Sequence, residues 1–311
     1  MTLRSALLSF RIQRFEMTII VAAAVLSVAV SAIVISLFTS GGYSQCFSSD
    51  GPVFTSHCQS PMVNWLSRIA RMSIAIVPLF PLVAGLLAGG PIVARELEIG
   101  TARLAWSLGP SRLRWFVQRA LPILLIVLVA STAIGLTADA LVKLLSPTAD
   151  LDRSFVGFRW RGPLVGVEAV LIASIALAVG AILGRIVPTI ILTLILLLGL
   201  VIAVDKVERT TLISEAKLAS GQTYFWSESD LQLESRVKFP NGDILTYEEA
   251  FATHPEMNEP WTDQPPFEDL VLYIPGERYH DVERRELLAF GGLALGFVGI
   301  AAIAVMRRRP R

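Results

Sequence analysis

The residues best equipped for chemistry crowd into one passage, ARELEIGTARLAWSLGPSRLRW, at positions 94–115. Glu96, Glu98, Arg103, Arg112 and Arg114 bring both signs of charge, and Trp106 brings an aromatic surface. Mixed charge around an indole is docking chemistry: the ring anchors a contact and the charges orient it. Bond-making chemistry lacks its parts. No G-x-x-x-x-G-K-[ST] phosphate loop, G-x-S-x-G, H-E-x-x-H or C-x-x-C occurs, and no nucleophile, base or ligand set can be assembled around His57, His254 and His280. We therefore expect no enzyme, no metal or cofactor on the chain, and no nucleic-acid partner.

The same passage is rich in helix punctuation. Gly100 is a natural stop, because glycine takes the left-handed conformation that ends a helix. Thr101 follows as a candidate N-cap. The spacing predicts two turns of helix over ARLAWSL, ended by Gly109-Pro110. Ser111 then caps a further helix carrying Arg112, Arg114, Trp115 and Arg119. Such a helix offers Arg103, Trp106 and Ser107 outward in some combination. A bare orientation signal accounts for the arginines, but not for the two glutamates or the paired breaks.

The elements flanking this passage are membrane helices. Mean hydropathy is +0.61, and only 17% of residues are charged, against roughly 25% in soluble domains. Charge-free runs cover 17–49, 72–94, 120–138, 169–184, 186–204 and 287–306. A spanning helix needs about 20 apolar residues, and the fourth run reaches that length if it starts near Pro163 and tolerates Glu168. Six spans result, at about 17–38, 72–94, 120–142, 164–183, 186–204 and from 287 onward. With a cytoplasmic N-terminus, thirteen arginines fall inside: Arg4, Arg11, Arg14, Arg95, Arg103, Arg112, Arg114, Arg119, Arg185, Arg307, Arg308, Arg309 and Arg311. The short outside loops hold five: Arg68, Arg71, Arg153, Arg159 and Arg161. The positive-inside rule then places both termini in the cytoplasm of a multi-pass plasma-membrane protein.

Within this plan, LRSALLSFRIQRFE (3–16) has basic and apolar positions at helical spacing and reads as an interfacial helix on the lipid. Cys46 and Cys58 share the first outside loop, where an oxidising environment favours a disulfide. The alternative is a metal site with His57, for which one histidine and two cysteines make a poor set. Gly85-x-x-x-Gly89 lets another helix approach span two. Asp139 and Lys143 stand in the order favourable for an i,i+4 pair, and Glu168 lies at similar depth. Charges within spans are functional candidates, but these three sit near the interface, where snorkelling favours a structural role.

Residues 205–286 are a different material, with 18 acids against 8 Lys plus Arg. ERTTLISEAKLASG reads as a short helix, and RVKFPNGDILTY as two strands around Asn241-Gly242. TYEEAF opens with a capping box, Thr246 to Glu249. HPEMNEPWTDQPPF is a proline-rich loop, and GERYHDVERREL a charged helix entering the last span. This segment is expected to be a small α+β outside domain on an otherwise all-α membrane protein, dividing the chain into 1–204, 205–286 and 287–311.

RELEIGTARLAWSLGPSRLRW resembles the first cytoplasmic loop of ABC transporter permeases of the type-2 exporter family, especially its actinobacterial branch. There an R-E-x-E-x-G-T pattern follows span two, with W-[ST] and R-x-R-W after it. The six-span plan, the N-terminal helix, the segment between spans five and six, and IPGERYHDVERRE are also similar to that branch. The resemblance implies that this loop is the coupling helix, docking into a groove on a separate ATP-binding subunit that carries ATP and Mg. It implies two permease chains per pathway, as a homodimer or related heterodimer, and assigns the coupling interface to Glu96, Glu98, Gly100, Thr101, Arg103, Trp106, Arg112 and Arg114. A membrane sensor or assembly platform displaying the acidic segment is the competing expectation.

Overall fold

A computed structural model describes residues 14–47, 58–108, 111–147, 149–220, 229–254 and 267–308. The helices are α1 (Arg14–Ser40), α2 (Pro61–Ile76), α3 (Leu79–Ile99), α4 (Thr101–Leu108), α5 (Arg112–Leu145), α6 (Leu164–Leu183), α7 (Ile186–Ile213), α8 (Tyr247–Thr253) and α9 (Tyr279–Arg307). The strands are β1 (Lys217–Ser220), β2 (Leu231–Lys238), β3 (Ile244–Thr246) and β4 (Glu268–Ile274). Six helices, α1, α3, α5, α6, α7 and α9, are long and apolar enough to cross a membrane. Lipid offers the backbone no hydrogen bonds, so such runs must satisfy their amides as helices.

The chain divides into two units: Met1–Thr148 with Gly157–Gly199 and Glu283–Arg311, and Ala149–Val156 with Leu200–Val282. In the first, α3 and α6 form the packed centre. The α6 window is 78% buried, whereas those of α7 and α9 are 17% buried. Ala84, Ala88, Ile92 and Val93 of α3 join Val165, Ala169, Leu177 and Ala181 of α6 in the main core, with α5 adding Phe116, Ile123, Val127 and Ile134. A second core gathers Val34, Phe38, Leu66, Ala70, Leu141 and Leu144. Tyr43 packs on Phe38 edge to face, and Phe47 packs on it tilted, which seats the 3-10 turn Tyr43–Phe47 carrying Cys46.

The apolar run 72–94 does not form one helix. Pro78 lacks an N–H, and α2 closes at Ile76 before α3 begins at Leu79. Ser60 caps α2, its hydroxyl accepting from the Val63 amide, with Pro61 in the first turn. The interfacial helix expected over 3–16 lies outside the described residues apart from its last turn.

In the second unit the sheet runs β1-β4-β2-β3, every pair antiparallel. The Asn241-Gly242 turn joins β2 to β3, and the capping box on Thr246 and Glu249 opens α8. Val237, Phe239 and Ala250 fill the space between sheet and helix. Here the sequence reading needs correction. ERTTLISEAKLASG is not a separate helix: α7 continues to Ile213 and, after a turn, Lys217–Ser220 form β1. Residues 149–156, between α5 and α6, belong with the sheet. The Phe155 amide donates to the Ser229 carbonyl (2.8 Å), and Phe155 meets Tyr279 edge to face. The proline-rich loop lies mostly outside the described residues.

Candidate coupling interface

Gly100, at φ 84°, ends α3 in the left-handed conformation, and the chain re-enters a helix at once. Thr101 does not act as an N-cap. It is already helical, and its hydroxyl donates back to the Glu96 carbonyl (3.4 Å). Past α4, Ser111 caps α5 by accepting from the Arg114 amide (3.2 Å). The Gly109-Pro110 break lies outside the described residues.

Several charged residues around α4 find partners within the chain. Glu96 is 7% exposed and pairs with Arg119 at 2.8 Å. Glu98 accepts from the backbone amide of Ile186 (2.9 Å), in the first turn of α7. Arg112 donates to the carbonyls of Met306 (3.1 Å) and Arg308 (2.6 Å), at the end of α9. Arg308 in turn donates to the Ala181 carbonyl (2.8 Å), near the end of α6. Arg95 reaches Glu16 of α1 at 3.3 Å. The backbone partners of Glu98, Arg112 and Arg308 suit the helix dipole: a carboxylate meets an amino-terminal turn and guanidinium groups meet carboxy-terminal carbonyls.

Trp106 also faces inward. Its ring meets that of Trp115 edge to face at 5.7 Å, Arg112 stacks over it at 5.0 Å, and Arg119 lies 5.8 Å over Trp115. Apolar side chains form the outward side instead: Ile99 and Leu104 are each 65% exposed, with Thr101, Ser107 and Arg114 exposed nearby. The side chain of Arg103 lies outside the description. A two-turn helix is thus held by ion pairs and stacked rings, with Thr101, Leu104 and Ser107 presented outward.

Residues 17–209 match the family model described as ABC-2 membrane transporter related. That is more than half of the 311 residues. The chain belongs to this family. No curated protein and no solved structure matches it. The match spans α1 to the greater part of α7 and includes α4. The protein is accordingly a multi-pass membrane permease component, of a family that works with an ATP-binding subunit.

Elsewhere in the permease, Cys46 and Cys58 are joined as a disulfide. A Cβ placed on Gly85 meets Ile172 Cγ2 at 2.6 Å, and one on Gly89 meets the Ala173 carbonyl oxygen at 2.2 Å. Both glycines thus let α6 lie directly against α3. Asp139 takes Arg161 as a partner (3.1 Å) rather than the expected Lys143, which is exposed. Beside it Arg159, at φ 70°, binds Glu286 through two hydrogen bonds of 3.2 and 3.0 Å. Glu168 is half-buried on α6. Among the described residues no group of His, Cys, Asp or Glu is arranged to hold a metal, and His254 stacks on Phe239 at 4.1 Å.

Sequence reasoning missed Arg119, Trp115, Ile186 and Arg308 as members of the α4 frame. A signal existed for two of them. Trp115 and Arg119 share a helix face with Arg112 at i, i+3 and i+7 spacing, the pattern of one packed surface. Nothing local points from Glu98 to Ile186 or from Arg112 to Met306.

Proposed function

We propose that the chain is the transmembrane subunit of an ATP-driven ABC exporter, which docks a separate ATP-binding subunit on α4 and moves substrate across the plasma membrane. The observation that carries this reading is the exposed pair Ile99, at the end of α3, and Leu104 of α4, beside charges that are paired within the chain. Exposed Leu and Ile beside Arg114 suit an apolar groove on a soluble partner. The one-residue link through Gly100 from α3 into α4 suits transmission of force. The excess of arginine in the loops on the α4 side supports a cytoplasmic α4 and cytoplasmic termini, and with them an outside position for residues 205–286. ATP and Mg are bound and hydrolysed on the partner, and this chain catalyses nothing itself. The R-E-x-E-x-G-T loop supports placement in the actinobacterial branch. Two permease chains, identical or related, complete the pathway, in keeping with the sparse cover of α7 within one chain.

Mild detergent extraction from native membranes, followed by affinity purification of the full chain, tests the reading. An ATP-binding subunit is expected to co-purify, with hydrolysis that responds to the permease. A chain that is recovered without any nucleotide-binding partner refutes it and favours a sensor or assembly platform.

A further inference from the structure

Within this chain α7 and α9 are the least covered spans, while α3 and α6 form the packed centre. Side-chain packing therefore fixes α7 and α9 weakly, and polar ties at their ends weigh more. Both helices are tied at the end where α4 lies. Glu98, two residues before Gly100, accepts from the Ile186 amide in the first turn of α7 (2.9 Å). Arg112, one residue after the Ser111 cap, donates to the Met306 and Arg308 carbonyls at the end of α9 (3.1 and 2.6 Å). These groups are orphans of the helix termini, which no intrahelical partner satisfies. A carboxylate on an amino end and a guanidinium on a carboxy end are favoured by the helix dipole, and charge-assisted bonds are the stronger kind. The two ties flank α4, one on each side. Among the described residues no similar charged tie joins the α4 segment to α6 directly; Arg308 reaches α6 from the tail of α9.

We propose that Glu98 and Arg112 are positioning residues that pass a displacement of α4 to α7 and α9, making these two spans the ones moved when the partner acts. The proposal rests on α4 being the docking site. Both side chains are engaged by helix ends within the chain, so a variant that keeps the subunit yet loses the response separates transmission from docking. Glu98→Gln keeps an acceptor for the Ile186 amide and Glu98→Ala removes it. Arg112→Lys keeps a cationic donor and Arg112→Ala does not.

The test uses the full permease with its ATP-binding subunit in lipid nanodiscs, with Mg-ATP as the probe. Partner affinity, the response of ATP hydrolysis to the permease, and amide exchange at Ile186 are measured on each variant. Glu98→Ala is expected to hold the partner within about twofold of the parent and to exchange faster at Ile186. Its response should fall about fivefold or more. Glu98→Gln should recover the parent response. Arg112→Ala also loses the stack on Trp106, so its response is read with the subunit saturating; there it should fall as in Glu98→Ala, with partial recovery in Arg112→Lys. Alanine variants that bind and respond like the parent overturn the proposal. So do variants whose response falls only in proportion to weakened binding, since that is a docking effect. A parent chain that fails to bind the subunit at all removes the docking reading itself, and the proposal falls with it.

Discussion

The Arg112 guanidinium lies 5.0 Å over the Trp106 ring and donates to the carbonyls of Met306 and Arg308. One side chain thus seats the inner side of α4 and closes the end of α9. This separates two variants that look alike from sequence. Trp106→Ala removes the ring on which α4 rests, so partner recovery should fall together with thermal stability, by about 2 kcal/mol. Leu104→Glu places a charge on the outward face, leaving that seat intact. Expression and Tm should then match the parent, while partner recovery falls about tenfold or more. Pull-down and detergent melting on the same preparations check both.

The Glu96–Arg119 pair, 2.8 Å apart and largely buried, predicts a second pattern. Removing one partner strands the other charge, at a cost of about 3 kcal/mol or more, whereas removing both is close to neutral. Glu96→Met and Arg119→Met should each lower Tm sharply, and the double variant should regain most of the loss. Additive losses in the double-mutant cycle would contradict the buried pair.

The contact of α3 with α6 predicts a third. A Cβ on Gly89 overlaps the Ala173 carbonyl oxygen and lies 2.8 Å from Ala176 Cβ. Gly89→Val should force the helices apart at a cost of about 1–3 kcal/mol. Gly199, with nothing within 4 Å, serves as the control, and Gly199→Ala should melt like the parent. Equal melting of Gly89→Val and the parent would refute the close approach.

Tyr247 gives a prediction in pH. Burial, and then its hydrogen bond to Asp269, push its phenol from 10.0 up to about 12. The folded value exceeds the unfolded one, so the stabilisation is complete below pH 10 and is lost as pH rises from 10 towards 12. Ultraviolet titration of the full chain, with the Tyr247→Phe trace subtracted, should show one phenolate with a midpoint near 12. A midpoint near 10 would contradict the buried contact.

Local chemistry made much of this fold legible. Gly100 and Ser111 announce their roles by residue type, because a left-handed stop and a side-chain cap involve only neighbours in sequence. The hairpin at Asn241-Gly242 and the capping box at Thr246 are readable for the same reason. The direction α4 faces was not. Leu104 and Trp106 are both apolar and two residues apart, and only Trp115 and Arg112 decide which turns inward. Glu96 and Glu98 likewise looked available for a partner because Arg119 and Ile186 come to them through tertiary packing. Asp139 had Lys143 at ideal helical spacing, yet Arg161, brought over by the loop before α6, took its carboxylate. ERTTLISEAKLASG contained no break signal at Ile213, where helix gives way to turn and strand.

The central claim is that the outward side of α4 touches an ATP-binding subunit. A photo-crosslinking residue at position 104, with another at Val129, exposed within α5, as control, tests it most directly in native membranes. The account predicts a crosslink from position 104 to a nucleotide-binding chain, lost when that subunit is deleted, and none from position 129. Position 104 crosslinking only to lipid, or to no ATP-binding chain, would contradict it.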